Sequence, residues 1–262
     1  ARSILDRIEE VAARLPSLRS RVALRSAGAA SEPPEGTGQC LTKLIRSVTD
    51  EEVAKFTWPR FAFDHPLFIL FSSGTTGAPK CIVHGVGGTL LEHVKEHRLH
   101  TDLRPTDRLY FHTSTGWMMW NWQLSALASG VQLVAYEGSA THPHPDALWA
   151  MLADEKVTVF GTSPSYLDLC RELAFEPGRN HDLGALRALL STGSILFDEQ
   201  YDWVAAHVKS ISVQSISGGT DIVGCFVLGN PNLPIYRGEI PCVSLGMDVR
   251  VIPEDREPLT TG

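Results

Sequence analysis

The sequence predicts an α/β fold, a mostly parallel sheet covered by helices, and three observations carry that prediction. From Asp107 onward, short apolar runs of strand character alternate with stretches of helical periodicity. Those helical stretches are long enough for right-handed crossovers between parallel strands. The composition of the 262 residues, 43% hydrophobic and 20% charged, supports a full core in one or two ordinary globular domains rather than a disordered chain.

Taken in order, Ile4, Ile8, Val11, Ala12 and Leu15 recur at helical spacing and stop at Pro16, so the chain opens on an amphipathic helix. A short strand near Val22 to Leu24 completes half of an α/β unit. Residues 26–38 are rich in Ala, Gly, Ser, Pro and Glu without periodicity and read as a surface loop or linker. Beyond Asp107 the strand candidates are Leu109, Val131 to Tyr136, Val157 to Phe160, Ala188 to Leu190 and Ile211 to Ile216. Helices are expected at Trp122 to Leu127, Pro145 to Lys156, Pro164 to Leu173 and Asp198 to Val208. In such a sheet, ligands sit beyond the carboxyl ends of the strands. After Gly229 the texture turns to Pro, Gly and short alternation, and residues 247–252 read as a small antiparallel element.

Several function classes are excluded by composition. No run of about 18 apolar residues occurs, and the charged segment from Arg2 to Glu10 is not a secretion signal, so the expected compartment is the cytoplasm. With 23 basic against 30 acidic residues and a net charge of −7, a nucleic-acid partner is not expected. The five cysteines are widely spaced without a CxxC pair and read as reduced thiols. His93, His97 and His100 have helical spacing that could bind a metal, but the charged residues around them favour a solvated helix face. Trp120 and Trp122 read as core.

The most informative stretch lies between the apolar runs at Phe68 to Phe71 and Cys81 to Val83. Gly74 and Gly77 allow close backbone approach to an anion, the hydroxyls of Ser72, Ser73, Thr75 and Thr76 supply donors, and Lys80 supplies positive charge. This is phosphate-binding chemistry without the Walker pattern, because Pro79 precedes the lysine and a strand-like run follows it. Taken alone, the same residues would also suit a solvent-facing hairpin with an incidental lysine.

The full string Ser-Ser-Gly-Thr-Thr-Gly-Ala-Pro-Lys, ending at Lys80, resembles the signature of the adenylate-forming superfamily, which includes acyl-CoA synthetases, luciferases and peptide-synthetase adenylation domains. The likeness continues through Ser191-Thr-Gly-Ser-Ile195, Ser217-Gly-Gly-Thr-Asp221 and the segment from Gly238 to Gly246. Within the superfamily, the runs from Thr113 to Trp122 and from Ser215 to Ile222 resemble the acetoacetyl-CoA synthetases.

The resemblance implies the N-terminal domain fold of those enzymes, in part. Residues 1–60 would end a first α/β subdomain, 61–228 would form the nucleotide- and acyl-binding subdomain, and 229–262 would begin a small β subdomain. The C-terminal domain with its lysine would be absent, so the chain alone would be weak or inactive. The implied substrates are ATP with Mg2+, coenzyme A and a short-chain keto acid, acetoacetate, activated first to the acyl-adenylate and then to the thioester. Residues 72–77 and Lys80 would hold phosphates, the backbone of Gly193, Ser194 and Ile195 would border adenine, and Thr220 and Asp221 would be catalytic, with Asp221 on the metal. Gly116, Trp117, Gly218 and Gly219 would shape the acyl pocket, Gly218 enlarging it where relatives carry an indole. Two positions depart from the superfamily pattern: Ser217 lacks the ring that stacks on adenine, and Asp221 stands for the usual Glu. The alternatives are a non-catalytic nucleotide- or acyl-binding module and a ligase for acetate or butyrate. The sequence carries no indication of oligomeric state.

Overall fold

A computed structural model describes residues 4–24, 39–72 and 77–252. The expected linker lies outside the described residues, as do Ser73, Gly74, Thr75 and Thr76 of the phosphate loop. The chain divides into two compact units, Ala1–Arg60 and Phe61–Gly262.

The first unit contains α1 (Ile4–Ala13), the parallel two-residue strands β1 (Val22–Ala23) and β2 (Gln39–Cys40), α2 (Leu41–Ser47) and α3 (Asp50–Lys55). Helix α3 starts where Thr49 and Glu52 form a capping box. The Thr49 hydroxyl accepts from the Glu52 amide at 3.2 Å, and Glu52 accepts from the Thr49 amide at 2.8 Å.

The second unit opens on a hairpin of β3 (Pro66–Ser72) and β4 (Lys80–Gly85), whose register pairs Ser72 with Lys80 and so brings both ends of the phosphate loop together. Helix α4 (Val86–Lys95) runs into a π-helical turn, Glu96–His100. The alternating region follows: β5 (Arg108–Phe111), α5 (Met118–Ser125) with a 3-10 turn at Ala126–Ser129, β6 (Gln132–Leu133), α6 (Ala147–Asp154), β7 (Val159–Thr162), α7 (Pro164–Glu172), α8 (Pro177–Asn180), β8 (Ala188–Ser191), α9 (Asp198–Trp203) with a π turn at Val204–Val208, and β9 (Ser212–Ser215). The strands form one parallel sheet in the order β6-β5-β7-β8-β9. A separate antiparallel sheet joins β10 (Ser217–Gly219), β11 (Gly224–Leu228) and β12 (Cys242–Val243).

Neighbouring residues on each strand serve opposite faces. Phe160 and Leu189 join one apolar cluster with Trp149 and Leu167, while Val159, Ala188 and Leu190 join another with Leu109, Phe111 and Trp122. Trp122 is core, as expected; Trp120 is half-buried. At the amino ends of the strands, Asp107 is a four-bond hub. Its carboxylate accepts from Arg187 Nε (2.9 Å) and Nη2 (2.6 Å), from the Thr158 hydroxyl (2.7 Å) and from the Arg104 amide (2.8 Å).

Two expectations are corrected. The histidine face is not solvated: His93, His97, His100 and Glu96 are all buried, because this side of α4 and its π turn packs against α5 and β11 rather than facing water. Their polar atoms therefore had to be satisfied inside the protein, and most are. Residues 247–252 form no strand, since no neighbouring strand pairs with them among the described residues, and Val251 and Ile252 stay exposed.

Candidate functional site

Two cavities open beyond the carboxyl ends of the parallel strands, where the doubly covered sheet leaves room. Each encloses about 530 Å³. The first is lined by residues from the ends of β5 and β7, including Tyr110, His112 and Thr162, with Trp117 from the start of α5. The second is lined by Ser194, Ile195, Ile216, Ser217, Gly218 and Ile240 among others. Thr192 and Gly193 border both.

This shared wall is firmly built. The Thr192 amide donates to the Thr162 carbonyl at 3.1 Å, and the Thr192 hydroxyl donates to the Ile216 carbonyl at 2.9 Å, tying the ends of three strands. Gly193 has a positive φ of 98°, and a Cβ placed there would meet nothing within 4 Å. A ligand can therefore lie against its backbone.

The first cavity has a polar lining. Tyr110 Oη and His112 Nδ1 are 3.0 Å apart, and burial lowers the His112 pKa, so the ring is neutral at pH 7. The Thr162 hydroxyl is buried with no partner among the described residues. The second cavity has aliphatic walls at Ile195, Leu196, Ile216 and Ile240, and none of its lining residues among those described is aromatic.

Beside the second cavity, β10 turns into β11 through residues 220–223. Val223 is buried with φ of 50°, a left-handed conformation that costs an L-residue roughly 1–2 kcal/mol and that β-branched residues rarely adopt. Two side chains from the β4–α4 segment bond this turn, and a third, from the π turn that follows, bonds the start of β11. His84 Nε2 donates to the Thr220 carbonyl at 2.8 Å, His93 Nε2 donates to the Val223 carbonyl at 2.6 Å, and Glu96 accepts from the Cys225 amide at 2.6 Å. The other Glu96 oxygen accepts from Trp122 Nε1 at 2.8 Å. Burial lowers the His93 pKa to about 4, so Nδ1 of the neutral ring accepts from the Ser125 hydroxyl 2.9 Å away. Burial and the nearby Glu92 carboxylate push the Glu96 pKa up to about 7.

The sequence profile of the AMP-binding enzyme family matches residues 4–262. The chain belongs to this family. Among relatives of the AMP-binding enzymes, it is 50% identical over 209 residues to an acetoacetyl-coenzyme A synthetase of Rhizobium meliloti, covering 79% of this chain and 32% of that protein. It is 41% identical over 259 residues to an acetoacetyl-CoA synthetase of Macaca fascicularis, covering 97% of this chain and 38% of that one. The structure of an acetoacetyl-CoA synthetase from Streptomyces lividans superposes with a TM-score of 0.86 at 39% identity, covering 97% of this chain and 39% of the other. The chain thus spans between about a third and two fifths of the length of these relatives.

Set on this AMP-binding fold, the residues singled out from sequence divide into three groups. Gly193, Ser194, Ile195 and Gly218 line the second cavity, and Trp117, following the exposed Gly116, lines the first. Gly219, Thr220 and Asp221 occupy the end of β10 and its turn, beside the second cavity but outside its lining. Ser72 and Lys80 pair at the loop ends of β3 and β4, Gly77 lies in the loop between them, and His84 on the same hairpin links it to Thr220.

The expected role of Gly218 meets a different physical demand. A Cβ at this position would lie 2.1 Å from the Gly224 carbonyl oxygen and 2.9 Å from Cys225 Cα, so the close approach of β10 to β11 itself requires glycine. Gly218 and Trp117 also line different cavities. Sequence reasoning missed Tyr110, His112 and Thr162, although their place at strand ends was a usable signal. It also missed His84 and His93, whose roles depend on contacts across more than 100 residues of chain.

Proposed function

We propose that this chain serves the ATP-dependent activation of a short-chain keto acid, acetoacetate, to its acyl-adenylate and then to its coenzyme A thioester. The observation that carries the reading is the pair of cavities meeting at Thr192 and Gly193, next to the turn that bears Thr220 and Asp221. Nucleotide and acid can enter from two sides and meet at one wall. The names of the similar proteins, acetoacetyl-CoA synthetases, point to the acid.

In the first half-reaction, a carboxylate oxygen forms a bond to the α-phosphorus of ATP, and the bond from that phosphorus to the bridging oxygen breaks, releasing pyrophosphate. In the second, the coenzyme A sulfur forms a bond to the acyl carbon, the acyl–oxygen bond breaks, and AMP leaves with that oxygen while the thiol proton passes to solvent. The first step must bring two anions together, so the protein's task is positioning and charge neutralisation. The second cavity would hold adenosine, with the Gly193 backbone open to the ligand and Ile195 and Ile240 as aliphatic walls. Thr220 would donate to the α-phosphate, and Lys80 would neutralise the distal phosphates. The first cavity, with Trp117 at its edge, would take the acid and admit the thiol.

The residues present fit Mg2+. Asp221 is exposed and its carboxylate has no partner among the described residues, and Mg2+ on a nucleotide needs one or two carboxylates alongside phosphate oxygens rather than a protein cage. Consistent with that mode, no group of three or more His, Cys, Asp or Glu is arranged to hold a metal among the described residues. When bound, the ion would draw charge from the leaving pyrophosphate. No helix among the described residues is long and apolar enough to cross a membrane. The reading carries a cytoplasmic setting, which the unbridged thiols of Cys81, Cys170, Cys225 and Cys242 support.

The test is acid-dependent exchange of labelled pyrophosphate into ATP by the full-length protein, comparing acetoacetate, acetate and butyrate. Acetoacetate is expected to stimulate exchange most, and Lys80→Ala to reduce it by at least tenfold. Equal stimulation by acetate would overturn the choice of acid, and exchange with none of the three would overturn the reading.

A further inference from the structure

We infer that His84 and His93 are positioning residues, holding the 220–223 turn in the one conformation that presents the Thr220 hydroxyl and the Asp221 carboxylate to the phosphates of Mg-ATP. The inference rests on the proposed roles of Thr220 and Asp221.

Within the turn, the Val223 amide reaches the Thr220 carbonyl only at 3.3 Å, close to the limit of a useful bond. Val223 also sits at φ of 50°, from which a β-branched residue relaxes unless something holds it. Left to itself, the turn would open and carry Thr220 and Asp221 away. The shorter bonds come from outside the turn: His84 to the Thr220 carbonyl at 2.8 Å and His93 to the Val223 carbonyl at 2.6 Å, one at each end. Glu96 fixes the next residue but one, accepting from the Cys225 amide at 2.6 Å.

The spacing of these anchors along the chain gives the clamp a direction. His84 stands on β4, four residues after Lys80 and on the strand that leaves the phosphate loop. The cation proposed for the distal phosphates and the backbone of the residue proposed for the α-phosphate are therefore connected through one short strand and one hydrogen bond. His93 and Glu96 follow on the helix continuing from that strand. The segment from β4 to the π turn thus acts as a jig between the two phosphate-binding elements, and neither histidine need touch a ligand.

A role confined to stability would affect all ligands of the second cavity alike, whereas positioning of the turn affects only ligands with phosphates. The experiment is calorimetric binding of Mg-ATP and of adenosine to the full-length protein and its variants. His84 is half-buried, so His84→Ala removes the bond with little loss of packing. It is expected to weaken Mg-ATP about tenfold and to leave adenosine within twofold. His84→Gln, which restores an N–H donor at similar reach, is expected to recover most of the loss. Val223→Gly, which takes up φ of 50° without steric strain, should make the clamp less necessary, so that His84→Ala in that background weakens Mg-ATP less than in the parent protein. Unchanged Mg-ATP affinity in His84→Ala would overturn the inference, as would parallel losses of Mg-ATP and adenosine, or an equal Mg-ATP loss from His84→Ala with and without Val223→Gly. Because the readout is binding, the two readings separate. Wild-type protein that binds Mg-ATP but shows no acid-dependent exchange loses the proposed activity and keeps the clamp; wild-type protein that does not bind Mg-ATP loses both.

Discussion

His97 meets Trp122 edge to face, with ring centroids 4.3 Å apart, and neither of its ring nitrogens makes a hydrogen bond of ordinary geometry; there is only a weak approach to the Trp122 backbone. A buried imidazole in that position forgoes its hydrogen bonds to water and gains little in return. His97→Leu, similar in volume and apolar, is expected to raise stability by about 1 kcal/mol after allowing for the lost ring contact. Urea unfolding at pH 7 checks this through the midpoint.

The same buried cluster sets a pH profile with two arms. Burial lowers His93 to about 4 and His97 to about 3, so the unfolded chain takes up their protons first and stability falls as pH drops below 6.5. Glu96 has the opposite sign. Its folded pKa, raised to about 7, makes the folded state hold the proton longer, so stability falls as pH rises from 4.5 through 7. Between pH 6.5 and 8 the two arms nearly cancel, so a broad maximum centred near pH 7 is expected. Glu96→Gln should leave stability rising toward pH 8, and His97→Leu should lessen the acid arm and uncover a net alkaline loss, in unfolding curves taken from pH 5 to 8.

Ala174 ends α7 at φ of 51°, with the Phe175 amide donating to the Cys170 carbonyl at 3.0 Å. That is the helix-ending geometry glycine adopts without steric cost. Since Ala174 is exposed, Ala174→Gly is expected to stabilise by roughly 0.5–1 kcal/mol, read as a rise of about 2–4 °C in Tm.

Asp107→Asn should cost about 2–4 kcal/mol, because it leaves the Arg187 fork without its counter-charge at a nearly buried site. Burial by itself would raise the Asp107 pKa; the Arg187, Thr158 and Arg104 bonds together outweigh it and hold the carboxyl below its ordinary value. Its contribution is therefore present above pH 3.8 and is lost as pH falls through the lower folded value. Adenosine and Mg-ATP affinities should remain unchanged in protein that is still folded.

Gly218→Ala is expected to destabilise by about 2 kcal/mol or more, because the new methyl group must displace the Gly224 backbone. The loss should appear in thermal melts without any ligand present. Any change in ligand binding by that variant would then report a distorted β10 before it reported pocket size.

Much of the fold was legible because local pattern and tertiary role agree there. The alternation after Asp107 became the parallel sheet, with Val159 and Phe160 serving opposite faces. Short edges were less legible: the run expected as a strand from residue 131 to 136 pairs only at Gln132–Leu133, since pairing needs a neighbour and not only propensity. The histidine helix misled for a related reason. His93, Glu96 and His97 look like a surface face until α5 and β11 are placed against them. In the site, Gly193 and Ser194 could be placed by motif, but the lining residues His112 and Thr162 carry no motif and gain their position only from strand order.

The Asp107 hub stands at the amino ends of the strands and both cavities stand at the carboxyl ends. Substitutions that reshape a pocket and substitutions that weaken the frame therefore fall on different residues, separated by the length of the sheet. A lineage can alter what binds at one rim while the opposite rim keeps the molecule folded. Such a division of labour makes this scaffold tolerant of change where change alters chemistry.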